Sequence, residues 1–497
     1  MKPTPMRVSK QSPPLAHAPT LPAAAAVMLL LLAPSGVLAA PPLPDLPPWL
    51  AHPGARPFST VVCPFAPPHT DPVRPLEVCN VRATARTGPA NEVDLALDPA
   101  DPHHLVVVAK SYNYTRLLNS SLRGGVVTAH AASFDGGRTW HEGYLQPLEP
   151  VLTLPDGTPL GETPDHETDP VVEFAPDGSV LAMTVNADHQ VGLPVYRSVD
   201  GGRSFARIAT AAPQLTDKEW LVSDPFSGNV YGAALVAEDV VGFFRSEDGG
   251  FTWSAPVAVL GGVGATLDVG PGGILYLAAS HEGVVNFTRS LDRGTTWEPA
   301  RAIAPRAPDF LSGACGRLFR TPNFAQLASS RTTGAVEVAF VQRGTAIPDP
   351  EGCPEAPDTG IFVVRSDDSG LTWSAPHRVD DGVPAFRFMP AIAMSPRGDV
   401  HVSWLDQRSD PGGQFAEVYY AHSAHGLAFD RNLKVSDVPF WTTLSHHQEP
   451  NPLNPLFSEW LTFVGDYMGL AATDDTAWLA FADTRYGRSD VFVASVR

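Results

Sequence analysis

From about residue 90 to the C-terminus, apolar and polar residues alternate in short runs that Pro, Asp and Gly repeatedly interrupt. Period-two alternation bounded by turn residues predicts half-buried β-strands, and no run is long enough for a helical reading to compete. The runs come in pairs. "VDLALDPADPHHLVVVAKS", "DPVVEFAPDGSVLAMTV", "WLVSDPFSGNVYGAAL", "TLDVGPGGILYLAA", "FAQLASSRTTGAVEVAFV", "AIAMSPRGDVHVSWLD" and "MGLAATDDTAWLAFAD" each read as strand, turn, strand. That gives seven units. The last adds a third strand, "SDVFVASV", before the chain stops.

Third strands elsewhere, such as "VYRS", "FFRS", "FTRS" and "VVRS", run straight into a repeated octapeptide. Its copies are "SFDGGRTW", "SVDGGRSF", "SEDGGFTW", "SLDRGTTW" and "SDDSGLTW", with aspartates at Asp135, Asp200, Asp248, Asp292 and Asp368. "SAHGLAF" reads as a sixth, worn copy without the aspartate. An Asp or Ser side chain accepts hydrogen bonds within its own turn, Gly takes positive φ without steric cost, and the closing aromatic ring packs between sheets. A catalytic loop has no need of five copies. The octapeptide therefore predicts a structural corner joining third and fourth strands.

The pattern S-x-D-x-G-x-T-W resembles the Asp-box, or bacterial neuraminidase repeat, of sialidases and related secreted β-propellers. The resemblance spans roughly residues 91 to 497 and implies an all-β propeller of four-stranded antiparallel blades. The seven strand pairs favour seven blades over the six of sialidase-like relatives. The last unit lacks an outer strand, so an N-terminal segment near "STVVCP" or "LEVCNV" is expected to close the ring. The expected organisation is a secretory signal peptide at 1–39, a Pro-rich strap with the closing strand at 40–90, and the propeller at 91–497.

In a propeller the entrances to first strands and the exits of second strands share one face, around the central channel, where ligands usually bind. The residues falling there carry charge of both signs. First-strand entrances supply Asn91, Glu92, Glu167, Asp169, Asp217, Glu219, Arg320, Arg387, Asp466 and Tyr467, and second-strand exits supply Asp188, Arg343, Asp406, Arg408, Asp483 and Arg485. The sialidase resemblance implies an arginine cluster gripping a substrate carboxylate, an Asp handling protons and a Tyr–Glu nucleophile pair. Arg320, Arg343, Arg387, Arg408 and Arg485, with Asp406, Asp466 and Asp483, are the substrate-binding candidates. Asp169, Asp217, Glu167, Glu219 and Tyr467 are the catalytic candidates. The family's Phe/Tyr-Arg-Ile/Leu-Pro motif appears only as "FRTP", before the fifth unit and with Thr in the aliphatic position. The alternative is a non-catalytic propeller that binds glycans or proteins at a cell surface.

Composition narrows the setting. Charged residues are 18% of the 497, Gly and Pro number 42 and 51, and the formal charge is −19, which argues against nucleic acid as a partner. Lys2, Arg7 and Lys10 precede "LPAAAAVMLLLL" and a small-residue "VLA" cleavage pattern, which predicts a secreted or periplasmic protein without a membrane span after signal cleavage. Cys63 with Cys79 and Cys315 with Cys353 are the expected local disulfides, although four cysteines allow three pairings. No cofactor or zinc motif appears, and Ca²⁺ in acidic loops is the one metal left open. The expected partner is carbohydrate, an acidic glycan, or a cell-surface protein, and the expected state is a monomer.

Overall fold

The computed structural model describes residues 61–65, 77–85, 87–112, 126–145, 152–153, 159–160, 167–186, 192–212, 216–307, 310–312, 320–343, 358–410, 413–424, 426–442 and 464–497. The chain divides into two units, Met1–Pro57 and Phe58–Arg497, and every described residue belongs to the second. The described residues form an all-β, seven-bladed propeller of antiparallel sheets with no α-helix. The innermost strands of blades 1 to 7 are Ala90–Leu97, Glu167–Phe174, Asp217–Ser223, Val263–Val269, Gln326–Ser329, Arg387–Met394 and Gly469–Ala472. Blades 1 to 5 have four strands each in chain order.

Blade 7 closes the ring with both N-terminal segments singled out in the sequence. Val78–Arg82 pairs with the C-terminal strand Asp490–Val496, from Val78 opposite Val496 to Arg82 opposite Phe492, and Val61–Phe65 adds a fifth strand outside it. Without that pairing the last strand would expose a row of unsatisfied backbone groups. Cys79 is disulfide-bonded. The side chain of Cys63 lies outside the description, as do Cys315 and Cys353.

Apolar faces of adjacent blades interlock. Phe244 of blade 3 packs with Leu181 and Val195 of blade 2, and Trp478 of blade 7 with Leu105 and Val107 of blade 1. Each such large side chain, once removed from water, contributes about 2 kcal/mol. The innermost strands pair on one side only, and their other edge faces the channel. Carboxylates cover part of that edge: Asp94 accepts the Val172 N–H at 2.8 Å, Glu173 the Ser223 N–H at 3.4 Å and Asp268 the Ser329 N–H at 2.7 Å. Each of these bonds runs from one blade to the next.

The octapeptides are corners between third and fourth strands. In all five the Ser hydroxyl donates to the Asp Oδ1 and accepts the N–H of the second glycine position at 2.8 Å, while the following Thr or Ser hydroxyl donates to the Asp Oδ2 at 2.6 Å. The glycine is required twice over at Gly202: its φ is 83°, and a Cβ there would lie 2.7 Å from Val106 of the preceding blade. In blade 6, where the aspartate is lost, the His422 Nδ1 sits 3.0 Å from Asp430 Oδ2 and the Asp430 N–H donates to the His422 carbonyl.

Candidate functional site

At the channel mouth, most innermost strands start with a bulge. Glu92, Asp169, Lys218, Gly264 and Met389, from blades 1, 2, 3, 4 and 6, have φ of 52°, 52°, 51°, 60° and 55°, and the strand register slips at each. A left-handed conformation costs a non-glycine residue about 1 kcal/mol, so its recurrence at one position marks a retained feature. The bulge also breaks strict alternation, so that Lys218, Glu219 and Trp220 line a single cleft. Asp169, Gly264, Phe324 and Tyr467 complete much of its wall. Gly264 is the blade whose bulge has no side chain, and Phe324 takes the space: a Cβ on Gly264 would meet its ring at 2.4 Å.

Lys218 is the electrostatic centre. Its Nζ lies 2.5 Å from Asp466 Oδ2, 2.7 Å from Asp169 Oδ2 and 3.9 Å from Glu92 Oε1. Lys110 approaches the other Glu92 oxygen at 3.2 Å, and the Thr168 hydroxyl is within hydrogen-bond reach of both Glu92 and Asp169. Burial alone would raise the Asp169 carboxyl, but Lys218 and its hydrogen bonds hold it well below the ordinary aspartate range. Glu92 goes the other way, pushed up to about 8 by burial and then by the Asp169 charge. Glu219 is buried, neither of its carboxyl oxygens is hydrogen-bonded to another of the described residues, and burial followed by the Asp169 charge outweighs its own backbone N–H and raises it well above the usual range.

Of the other catalytic candidates, Asp217 and Tyr467 border this cluster and Glu167 lies apart from it. Asp217 stands at the exposed rim and accepts the Lys218 N–H at 2.9 Å. Glu167 is buried inside blade 2, accepting the Thr184 hydroxyl at 2.7 Å and the Tyr196 hydroxyl at 2.8 Å, so the tyrosine that pairs with a glutamate is Tyr196. Tyr467 lines the cleft, but its hydroxyl donates to the Pro170 carbonyl at 2.9 Å.

The arginines are held by acids of their own neighbourhood. Arg387 is fully buried, its Nε 2.9 Å from Asp406 Oδ2, and Arg408 meets Asp406 at 2.7 Å and Asp381 at 2.5 Å while its guanidinium lies 4.0 Å over the Tyr419 ring. Arg485 is clamped between Asp483 at 2.6 Å and Asp437 at 2.8 Å. Arg343 is exposed at the end of its strand, and the side chain of Arg320, in the short strand Arg320–Pro322, lies outside the description.

Lys218, Lys110 and Tyr196 were not among the sequence candidates, and Glu92, which the sequence places at a first-strand entrance, was given no role there. Lysine scarcity was the available signal for two of them: the chain has five, and Lys110 and Lys218 both stand at this mouth. No group of three or more His, Cys, Asp or Glu among the described residues is arranged to hold a metal ion. No helix among them is long and apolar enough to cross a membrane.

No protein-family model matches the chain, and no curated protein matches it. Solved structures do. An α-L-arabinofuranosidase from Fusarium graminearum, in complex with an iminosugar inhibitor, is 16% identical with a TM-score of 0.43, covering 66% of this chain and 92% of that one. A Hadza microbial sialidase is 16% identical with a TM-score of 0.40, covering 72% and 70%. The NanB sialidase from Streptococcus pneumoniae is 11% identical with a TM-score of 0.38, covering 82% and 68%.

Proposed function

We propose that the chain is a glycoside hydrolase whose working site is the Glu219–Asp169 cleft and whose substrate is an uncharged glycan. The observation that carries this reading is the opposed state of the two carboxyls. Burial favours the protonated form of Glu219, whose oxygens bond to no other described residue, while Lys218 favours the ionised form of Asp169 in the same cleft. Cleavage of a glycosidic bond needs such a division, with one group delivering a proton to the leaving oxygen and the other carrying negative charge opposite it. Trp220, Phe324 and Tyr467 supply an apolar wall for the face of a sugar ring.

The choice of an uncharged sugar departs from the acidic glycan that the resemblance implied. Arg387, Arg408 and Arg485 are neutralised by Asp406, Asp381, Asp483 and Asp437, and Lys218 is taken up by Asp169 and Asp466. A carboxylate ligand would have to displace one of these acids. The saturation of Lys218 also favours a second reading, a propeller that binds the same glycan without cleaving it. Export through residues 1–39 and a Cys63–Cys79 bridge, alongside the paired strands Val61–Phe65 and Val78–Arg82, belong to the proposal as well.

The test is release of a fluorogenic leaving group from a panel of neutral and sialic acid glycosides, with Glu219→Gln alongside. The expected result is turnover of a neutral glycoside that Glu219→Gln lowers about 100-fold or more. Glycan binding by calorimetry without turnover on any member selects the second reading, and turnover confined to sialosides overturns the choice of substrate.

A further inference from the structure

We propose that Lys218 is the positioning residue of this cleft: its ammonium draws Asp169 of blade 2 and Asp466 of blade 7 to one point at the channel mouth and so fixes the direction of the Asp169 carboxylate beside Glu219. The inference rests on the reading of the cleft as the working site, and adds the group that organises it.

Backbone geometry comes first. Glu92, Asp169 and Lys218 hold the same left-handed bulge position in three consecutive blades, so their side chains converge from adjacent blades on the channel mouth. Two are acids and the third is the cation that joins them. The ammonium has three donors, and its nearest carboxylates lie at 2.5 and 2.7 Å, with Glu92 following at 3.9 Å. The side chain is 13% exposed, which leaves little water to screen these contacts.

Removing the cation shows what it does. Asp169, Asp466 and Glu92 would then face one another across a mouth where Lys110 is engaged with Glu92, and two ionised carboxylates brought to one point repel until one takes a proton or turns away. Asp217 at the rim, Glu219 and Tyr467 face the same space, and none of them brings a positive charge. Lys218 is therefore the nearest cation to Asp169 and the main group on which its direction and ionisation depend, with Thr168 and Lys110 adding to it. Glu219 borders the same cleft, yet none of its oxygens is bonded to the ammonium. The bulge that turns Lys218 toward the acids leaves the next residue in the apolar part of the wall.

The experiment is a pH titration of the side-chain carboxyls by NMR on the wild type, Lys218→Arg and Lys218→Met, with thermal melting of each. Asp169 is expected to titrate well below the ordinary aspartate range in the wild type and in Lys218→Arg, and about 100-fold more readily in Lys218→Met. An ordinary Asp169 titration in the wild type, or an unshifted one in Lys218→Met, overturns the proposal. If Lys218→Met does not fold, the wild-type titration together with Lys218→Arg decides, because a lost Asp169 depression in the arginine variant also overturns it. Where turnover is found, the acid limb of the kcat profile should move with the Asp169 titration while KM changes less than about threefold. Absence of turnover on every glycoside removes the hydrolase reading and leaves the titration result standing.

Discussion

Lys218 and Asp466 are 248 positions apart in the chain, yet the ammonium of one lies 2.5 Å from the carboxylate of the other. The contact runs from blade 3 to blade 7, so a single ion pair links sheets that are not neighbours in the ring. Asp466 leads into the innermost strand of blade 7, whose outer side the N-terminal strand Val78–Arg82 completes.

Breaking this pair without emptying the site should be measurable. Asp466→Asn keeps the shape and leaves Lys218 with Asp169, so the expected cost is about 1–2 kcal/mol, below the range for a buried charge left wholly alone. Urea unfolding checks it. A cost near zero would mean that Asp169 alone satisfies the ammonium.

Stability should fall as pH rises from mildly acidic to alkaline. Burial pushes Asp94 up to about 6, Glu173 to about 7 and Glu92 to about 8. Each binds its proton more tightly in the folded state than in the unfolded one. That contribution is complete below the ordinary carboxylate range and is lost progressively from there until pH passes the folded values of about 6 to 8. The octapeptide aspartates act oppositely, since hydrogen bonds from Thr296 and Thr372 hold Asp292 and Asp368 at about 2 and their contribution vanishes only in strong acid. A melting-temperature maximum at about pH 4 to 5 is expected. Glu173→Gln, whose amide oxygen can still accept the Ser223 N–H, should gain about 1 kcal/mol at pH 8 and flatten the decline.

How much of this was readable in the chain follows from the range of each interaction. The octapeptide corner is written in full within eight residues, because Ser133, Asp135, Gly137 and Thr139 bond to one another. The strand pairs and both ring-closing segments follow equally from local alternation and from one missing outer strand. Lys218 was passed over although Asp217 and Glu219 on either side were singled out. Its partners lie 49 and 248 positions away, and nothing in "DKEW" announces a left-handed residue. Glu167 was read as facing the channel, but its partners Thr184 and Tyr196 belong to the second and third strands of its own blade. The same-face rule locates the end of a strand and says nothing of which way its first side chain turns.

Removal of one corner should weaken its blade without touching ligand. Asp248 accepts the Thr252 N–H at 2.8 Å, the Thr252 hydroxyl at 2.6 Å and the Ser246 hydroxyl at 2.8 Å. These bonds resemble a helix cap in kind, so Asp248→Ala is expected to cost about 1–2 kcal/mol. Hydrogen exchange should quicken in blade 3 first, with glycan affinity unchanged.

Arg387 separates a recognition arginine from a structural one. It is fully buried, donates to Asp406 at 2.9 Å and to the Thr359 carbonyl at 2.9 Å, and also donates to the Val383 carbonyl. Asp406 is held in turn by the Trp404 indole N–H at 3.0 Å and by Arg408 at 2.7 Å. Truncating this guanidinium leaves Asp406 with Arg408 and Asp380 with Arg378, but it empties a fully buried site and frees the carbonyls of Thr359 and Val383, and the expected cost is about 3 kcal/mol. Arg387→Ala should therefore lower the melting temperature sharply. Arg408→Ala, at the edge of the same network, should cost less because water can reach Asp381, which is partly exposed. If either arginine gripped ligand, its loss would weaken binding of acidic glycans more than neutral ones. Here the expected ratio of the two affinities is unchanged in Arg408→Ala, measured by calorimetry on the folded variant. A selective loss of acidic-glycan binding would mean that Arg408 exchanges Asp381 for ligand, and would return the acidic-sugar reading to first place.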